Sequence, residues 1–244
     1  MNAFPYALQD DTLPRHGLIV LQVDETIEQD FRRLFAPDIA KLHISRIPSG
    51  AELTPDSIAQ MESALPAAAR LLPSGLDVVG YACTSGTTLI GAKRVQDLVM
   101  GAAQTRAATD PLTAALAQCH ALGLSRIGIV SPYIASVAKP IRAAFEAKGI
   151  AVPATLSFGE EVEAKVARIA PASIANAARA LARQTTLDGI FLSCTNLRTL
   201  DILDPLTHEL GLPVLSSNQC LAWHMASLCR MKPPTLHGCQ CHPS

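Results

Sequence analysis

Two short apolar segments of this sequence end in cysteine, and the same frame surrounds both of them. Asp77 stands six residues before Cys83, and Asp188 stands six residues before Cys194. A threonine directly follows each cysteine. Each segment also closes a series of alternating apolar and amphipathic stretches, so the whole pattern occurs once in each half of the chain. Such internal similarity predicts two similar lobes related by a pseudo-twofold axis.

Strand-like and helix-like stretches alternate through both halves. The predicted strands lie at 17–21, 42–47, 77–82, 127–130, 152–156 and 188–193. The predicted helices lie at 25–35, 55–72, from about 87, 134–148, 160–168 and 173–184. Thr54 is the predicted N-cap of the second helix, with Pro55 in its first turn. This alternation favours right-handed βαβ units, and therefore an α/β fold with parallel sheets.

The repeat also divides the chain. We expect a first α/β lobe at 1–107 and a second at 108–216, with 217–244 returning to the first lobe. Cys83 and Cys194 would each lie at the carboxyl end of a parallel strand, where open α/β sheets bind their ligands. The predicted active site is therefore the cleft between the lobes. The turn 216–218 is expected to line that cleft.

Composition narrows the class of protein. Of the 244 residues, 49% are hydrophobic but only 4% are aromatic, which suits helices packed on a parallel sheet. The formal net charge is −1 and no basic block is present, so nucleic acid is not an expected partner. The apolar runs are too short to span a bilayer, and the first residues lack the order of a signal peptide. We expect a cytoplasmic protein whose seven cysteines are mostly free thiols.

The two repeated cysteines have two readings. Free cysteine is often a small buried hydrophobe, so each could simply fill space in the core. However, polar residues follow both of them, at 84–88 and at 195–196, in patterns typical of turns and helix N-caps. Helix N-termini stabilise thiolates and bind carboxylates. We therefore favour Cys83 and Cys194 as a facing acid/base or nucleophile pair.

Other residues give weaker signals. No Gly-x-Gly-x-x-Gly pattern follows a strand and no phosphate loop is present, so no nucleotide site is predicted. The C-terminal run 237–242 holds two histidines and two cysteines, but its Cys-x-Cys spacing is unlike that of zinc sites, and no metal is expected. Cys119 and His120 are expected in the core or at its edge.

At the two cysteine segments the chain resembles the aspartate/glutamate racemase superfamily. The segments 81–87 and 192–199 are similar to those of its maleate cis–trans isomerase branch, which neighbours arylmalonate decarboxylase. The resemblance implies two Rossmann-like lobes with the active site between them, no cofactor, and a homodimer or higher homo-oligomer. It also implies a small carboxylate as substrate, with no membrane partner.

The resemblance assigns roles residue by residue. Cys83 and Cys194 match the two family cysteines, and Tyr133 matches a tyrosine that binds substrate. Further matches are contacts to a substrate carboxylate beside each cysteine, namely Thr84, Ser85, Thr195 and Asn196. Two departures matter. Decarboxylases of the family carry glycine in place of Cys83, which makes simple decarboxylation a weaker prediction. Maleate isomerases carry a Pro-Ser-Ser-Asn-Thr type segment where this chain has residues 21–26.

Asp24 therefore stands where a neutral asparagine would bind a substrate carboxylate. Two unit charges about 4 Å apart interact by roughly 4 kcal/mol at an effective dielectric near 20, so an ionised Asp24 would repel a dicarboxylate. Asp24 and Glu25 would instead suit an ammonium or amidinium group. Alternatively, Asp24 only caps the following helix, for which aspartate is a preferred residue. The stretch 24–28 also resembles a branch linked to ectoine utilisation, whose substrates would be cyclic amidines.

Several functions stay open on this basis. We predict a cofactor-independent racemase or epimerase acting on an amino acid or a cyclic amino acid derivative, with one thiol on each face of the reacting carbon. Maleate cis–trans isomerisation would use one thiolate for addition to a double bond. A decarboxylase or lyase would depend on Cys194 alone. A small-molecule binding protein with the same fold would need neither thiol.

Overall fold

The computed structural model describes residues 3–10, 12–50 and 55–234. It contains two parallel four-stranded sheets with the same internal order. In the first sheet the order is β2-β1-β3-β4, where these strands are β1 (Arg15–Leu21), β2 (Lys41–Ile47), β3 (Val78–Ala82) and β4 (Ala108–Thr109). In the second the order is β6-β5-β7-β8, where these strands are β5 (Arg126–Ser131), β6 (Ala151–Ser157), β7 (Gly189–Leu192) and β8 (Val214–Ser216). The predicted α/β fold with two similar lobes is confirmed.

Helices connect the strands and cover the sheets. Those of the first half are α1 (Ile27–Leu34), α2 (Pro55–Arg70), α3 (Thr84–Ile90), α4 (Ala92–Met100) and α5 (Pro111–Ala121). Those of the second half are α6 (Ala135–Glu146), α7 (Glu163–Val166), α8 (Pro171–Ala182), α9 (Leu200–Leu210) and α10 (Ser217–Leu228). In the part of the chain that the structure describes, every helix is too short or too polar to cross a lipid bilayer.

The register of the sheets brings four chain segments to one place. Ala82 at the end of β3 pairs with Val20 near the end of β1, and Leu192 at the end of β7 pairs with Val130 near the end of β5. Because parallel strands end at the same edge of a sheet, the turn after β1 lies beside the turn after β3. The turns after β5 and β7 are neighbours for the same reason. Each pair of turns carries one of the two cysteines.

Helix α10 packs against the first sheet although it follows the last strand of the second. It contacts β3, α1 and α5. The contact is close because Gly80 in β3 has no side chain, and a Cβ atom there would lie 2.8 Å from Met225 Sδ. The lobe boundaries at 107 and 216 stay predictions. The strand β4 belongs to the first sheet, although it starts at Ala108, one residue beyond the predicted end of the first lobe.

Two local differences from the sequence-based elements have physical causes. Helix α3 begins at Thr84 rather than near residue 87, because Cys83 Sγ accepts a hydrogen bond from Gly86 N–H and so acts as its N-cap. The helix predicted at 160–168 is confined to α7, since the Glu160 carboxylate accepts the N–H groups of residues 161 and 162 and delays the helix start. The short strands β4 and β8 were not predicted. Thr54 and the run 237–242 lie outside the described residues.

Candidate active site

Both repeated cysteines lie in turns at the carboxyl edges of their sheets. Cys83 directly follows β3, and Cys194 follows β7 after one intervening residue. Only 3% of Cys83 and 4% of Cys194 is exposed, and both are free thiols. Burial in each case raises the thiol pKa, because a thiolate loses its hydration there.

The surroundings of Cys83 partly offset the effect of burial on the pKa of its thiol. Its pKa is raised to about 11, mainly by desolvation, while hydrogen bonds from its neighbours act in the opposite direction. Gly86 N–H donates to Cys83 Sγ over 3.1 Å, and Ser85 Oγ lies 3.6 Å from the same sulfur. The Tyr81 hydroxyl also stabilises the thiolate form. These three groups would donate hydrogen bonds to a Cys83 thiolate and so stabilise its negative charge.

Cys194 has fewer donors and more negative charge nearby. Burial raises its pKa well above the usual value, and the carboxylates of Glu163 and Asp24 raise it further. Opposing this, the Tyr133 hydroxyl hydrogen-bonds the sulfur, and Asn196 N–H lies 3.4 Å from it. In the absence of a ligand, Cys194 is therefore a thiol rather than a thiolate at neutral pH.

Tyr133 and Glu163 are common neighbours of the two thiols. Tyr133 is 5% exposed, and both cysteines act electrostatically on its hydroxyl group and raise its pKa beyond the effect of burial. The Glu163 carboxylate acts on both thiols and raises the pKa of each. The structure therefore brings the buried side chains of Cys83, Cys194 and Tyr133 near one another, and the half-buried Glu163 lies near all three.

A serine at the start of α10 joins the two cysteine turns. Ser217 Oγ accepts the N–H of Cys194 over 3.0 Å and lies 2.8 Å from Thr84 Oγ1. Thr84 and Ser217 are 1% and 0% exposed. The Thr84 side chain, predicted to contact a substrate carboxylate, is thus engaged in holding the two turns in a fixed relation. The serine-containing turn does lie at the site, as the sequence predicted.

The other residues predicted to contact a substrate carboxylate differ in how many hydrogen bonds their side chains already make within the protein. Asn196 is committed on both sides: its Oδ1 accepts Glu25 N–H over 2.9 Å, and its Nδ2 donates to Glu163 Oε2 over 3.1 Å. Thr195 Oγ1 makes a long bond of 3.4 Å to the backbone carbonyl oxygen of Ala82, and it also lies near the Asp24 carboxylate. Ser85 Oγ has the distant sulfur contact described above. Of these groups, the hydroxyls of Ser85 and Thr195 are the ones best able to turn to a ligand.

Asp24 caps helix α1 with only one of its two carboxylate oxygens. Its Oδ1 accepts the N–H groups of Thr26 and Ile27 over 2.8 and 2.9 Å, at the start of α1. Its Oδ2 is buried and has no hydrogen-bond partner among the described residues. Glu25, in contrast, is exposed on the outer side of this turn, and only its backbone N–H reaches the site residues. The predicted acidic pair of Asp24 and Glu25 is therefore not formed at the thiols.

Glu163 was not foreseen as a site residue. It lies 31 positions before Cys194 in a segment predicted simply as helix, and no repeat or motif marks it. Its position follows from the delayed start of α7, which makes Glu163 the first residue of that helix. The structure thus replaces the predicted Asp24–Glu25 pair by Asp24 and Glu163, two carboxylates from different lobes.

The raised thiol pKa values predict slow modification at neutral pH. A thiol of pKa about 11 is almost wholly protonated at pH 7.5, so we expect iodoacetamide to label Cys83 roughly 100-fold more slowly than in the unfolded chain. The rate at Cys83 should rise about tenfold per pH unit up to a midpoint near pH 11, and the midpoint for Cys194 should also lie well above that of an ordinary thiol. Peptide-resolved mass spectrometry after timed quenching measures both rates. A midpoint below pH 8 at either cysteine would contradict the electrostatics described here.

Known proteins of similar sequence and structure share this architecture. The sequence pattern of the family described as arylmalonate decarboxylase matches residues 47–237. Arylmalonate decarboxylase of Bordetella bronchiseptica is 29% identical over 225 residues, which is 91% of this chain and 92% of that protein.

Two solved structures superpose closely. One is a liganded arylmalonate decarboxylase mutant in which a glycine is replaced by cysteine and a cysteine by serine; it is 26% identical, with a TM-score of 0.79 over 94% of this chain and 96% of that one. The other is a mutant maleate cis–trans isomerase of Nocardia farcinica with a covalently bound succinylcysteine intermediate. It is 21% identical, with a TM-score of 0.78 over 90% of this chain and 94% of that one.

Proposed function

Because the chain belongs to the arylmalonate decarboxylase family, within the superfamily branch that also holds maleate isomerase, we propose that it is a cofactor-independent racemase, epimerase or isomerase. The substrate is a small carboxylate, and amino acids and cyclic amino acid derivatives are the first to test. Cys83 and Cys194 are the proposed catalytic residues. The homologues on which the proposal draws are enzymes that decarboxylate or isomerise small acids.

The observation that carries the proposal is the pairing of the thiols. Cys83 and Cys194 come from different lobes, are equally buried, and act on the same tyrosine hydroxyl. A reaction that inverts a carbon centre needs one group to remove a proton from one face and a second group to return a proton to the other. Two buried thiols near the same tyrosine hydroxyl meet this need, whereas a core-filling role would not require both.

The proposed chemistry is a two-thiol proton transfer. The thiolate of one cysteine takes the proton from the carbon next to the substrate carboxylate, and the electron pair of the broken C–H bond delocalises into that carboxylate. The thiol of the other cysteine then gives its proton to the opposite face of the carbon. Electrons and atoms balance without an oxidant, and the two cysteines end with their protonation states exchanged.

The developing negative charge on the carboxylate needs hydrogen-bond donors. The hydroxyls of Ser85, Thr195 and Tyr133 are the proposed donors, since they lie beside the two sulfurs and are less committed than Thr84 and Asn196. Thr84 and Asn196 are proposed as positioning residues rather than direct contacts, because their side chains link the two cysteine turns to Ser217 and to Glu163.

Cis–trans isomerisation of an unsaturated acid is the second candidate. The succinylcysteine in the structurally similar isomerase favours it, because that group is the adduct of a thiol with an unsaturated four-carbon diacid. In this chain one thiolate would add to the double bond, the other thiol would protonate the resulting carbanion, and rotation followed by elimination would restore both. Asp24 opposes this reading for a dicarboxylate substrate: its Oδ2 has no hydrogen-bond partner among the described residues, and its charge, when ionised, would repel a second carboxylate.

Proton NMR in D₂O tests the proposal and separates the candidates. The purified protein is incubated with a panel of amino acids, ectoine-type cyclic amidines, maleate and an arylmalonate. We expect deuterium to enter the carbon next to the carboxylate of one panel member, with its stereoisomer appearing. Conversion of maleate to fumarate would instead support the cis–trans isomerase, and loss of a carboxylate from the arylmalonate would support a decarboxylase. No change across an enlarged panel would count against an enzyme of this type.

A further inference from the structure

We propose that Glu163 and Asp24 together form a subsite for a cationic group of the substrate, an ammonium or an amidinium, and that Glu163 determines this specificity. The inference rests on the proposed function and names the substrate class for it: a small acid that also carries a positive charge. Such a substrate would present its carboxylate to the hydroxyl groups beside the sulfurs and its cation to the two acidic side chains.

The first support is the position of Glu163. Its carboxylate is held at the site by Asn196, whose Nδ2 donates to Glu163 Oε2 over 3.1 Å and to the Glu163 backbone carbonyl oxygen over 3.2 Å. It lies near enough to both thiols and to Asp24 to interact electrostatically with all three. It also lines a small cavity whose other walls are Leu21, Val23, Ser49, Gly50, Ser57 and Met61.

The second support is the unused oxygen of Asp24. Asp24 is 4% exposed, and its Oδ1 is fully employed in capping α1. Its Oδ2 makes no hydrogen bond within the described residues. Burial raises the Asp24 pKa, and the nearby Thr195 hydroxyl opposes this rise, although that hydroxyl donates at 3.4 Å to Ala82 O. An unpartnered carboxylate oxygen in a buried site is costly and is a marker of a missing ligand.

The third support is the lack of a counter-charge. In the described part of the chain, neither Asp24 nor Glu163 forms an ion pair. Arg46 lowers the Asp24 pKa electrostatically, but its side chain pairs with Glu28 and donates to the Asp24 carbonyl oxygen rather than to the carboxylate. Lys165, two residues after Glu163, pairs with Glu160. Asp24 is buried and Glu163 is half-buried, and burial raises the pKa of both carboxyl groups. When ionised, the two carboxylates form a region of negative potential beside the thiols. A positive group on the ligand is the complement of that region.

Binding of a cation at this subsite also accounts for how a thiolate could form. Burial raises the pKa of Cys194, and the carboxylates of Glu163 and Asp24 raise it further. A substrate cation between the carboxylates would offset their charge and favour the thiolate, so the correct substrate would help to activate the base. A substrate without the cation would meet a protonated, unreactive pair of thiols.

Charged thiol reagents test the subsite without knowledge of the substrate. The probes are 2-aminoethyl, 2-sulfonatoethyl and methyl methanethiosulfonate, which are cationic, anionic and neutral. Their rates at Cys83 and Cys194 are read by peptide-resolved mass spectrometry, with the neutral reagent correcting for access. We expect the cationic reagent to outpace the anionic one, by a ratio that falls at least about tenfold in Glu163→Gln and further when Asp24→Asn is added.

The controls separate charge from structure. Glutamine at position 163 keeps an oxygen that can accept the hydrogen bond from Asn196, so the fold is expected to survive; thermal unfolding checks this. Glu161→Gln removes an exposed carboxylate two residues away and should leave the ratio unchanged. An unaltered ratio in Glu163→Gln, or a faster reaction of the anionic reagent with the native protein, would overturn the inference. Labelling requires no turnover, so this result is independent of whether the proposed reaction is found.

Discussion

Cys83→Ala and Cys194→Ala are each expected to lower the interconversion of stereoisomers by about 1000-fold. General acid–base groups contribute about 100-fold to 10,000-fold to enzymatic rates, and a two-sided proton transfer fails when either partner is missing. The two variants should therefore be similarly impaired, because each lacks one of the two faces. The measurement is the rate at which the second stereoisomer appears, using the substrate identified by NMR.

The same pair of variants distinguishes a reaction that uses one thiol from the proposed two-thiol mechanism. In a reaction that depends on Cys194 alone, Cys83→Ala would keep much of the wild-type rate while Cys194→Ala would lose it. Cys229→Ala is the matched control, since Cys229 is a half-buried free thiol beyond the end of α10. It should retain activity within a few-fold. A fully active Cys83→Ala variant would sink the two-thiol mechanism while leaving the family assignment intact.

Gly86→Ala is expected to be the most damaging conservative change outside the cysteines. A Cβ atom at this position would lie 2.7 Å from the Tyr81 hydroxyl and 2.8 Å from Cys83 Sγ, closer than atoms pack. The thiol or the tyrosine must then move, and the bond from Gly86 N–H to the sulfur is distorted. We expect at least about a 100-fold loss in turnover, in line with the cost of misplacing a reacting group by about 1 Å.

A second glycine variant separates activity from stability. Gly80→Ala would place a Cβ atom 2.8 Å from Met225 Sδ, where β3 packs against α10. This contact does not involve the thiols of Cys83 and Cys194. Overpacking of this kind costs about 1–3 kcal/mol of unfolding free energy. We expect Gly80→Ala to unfold more easily yet turn over normally at low temperature, whereas Gly86→Ala should be impaired even where it is fully folded. Denaturant unfolding and steady-state kinetics on both variants provide the comparison, and equal kinetic losses would contradict the assignment of Gly86 to the Cys83 environment.

The prediction of Asp24 illustrates how far one sequence position can be interpreted. Its two readings, helix capping and ligand binding, rest on the same carboxylate. The structure gives the capping role to Oδ1 and leaves Oδ2 without a partner among the described residues, so the proposed ligand contact falls to the second oxygen. Glu25 was paired with Asp24 because it is adjacent in sequence, but adjacent residues in a turn point in different directions. Its side chain is exposed as a result.

Local patterns determined the architecture of this protein and the positions of its two thiols. Alternating strands and helices imply parallel sheets, and the carboxyl end of a parallel strand fixes where Cys83 and Cys194 emerge. Neighbouring strands end at the same edge, so Asp24 and Tyr133 could also be expected near the thiols. These inferences needed only the periodicity of the chain and its internal repeat.

Tertiary structure decided which side chains are free and which are already engaged. Thr84 and Asn196 match the family contacts in sequence, yet their hydrogen bonds to Ser217 and Glu163 hold the two cysteine turns together. Glu163 carries no signal in the sequence, because its place depends on where α7 begins and on how the lobes face each other. Electrostatic and hydrogen-bond partners depend on distance in space rather than along the chain, and only the folded arrangement supplies that distance.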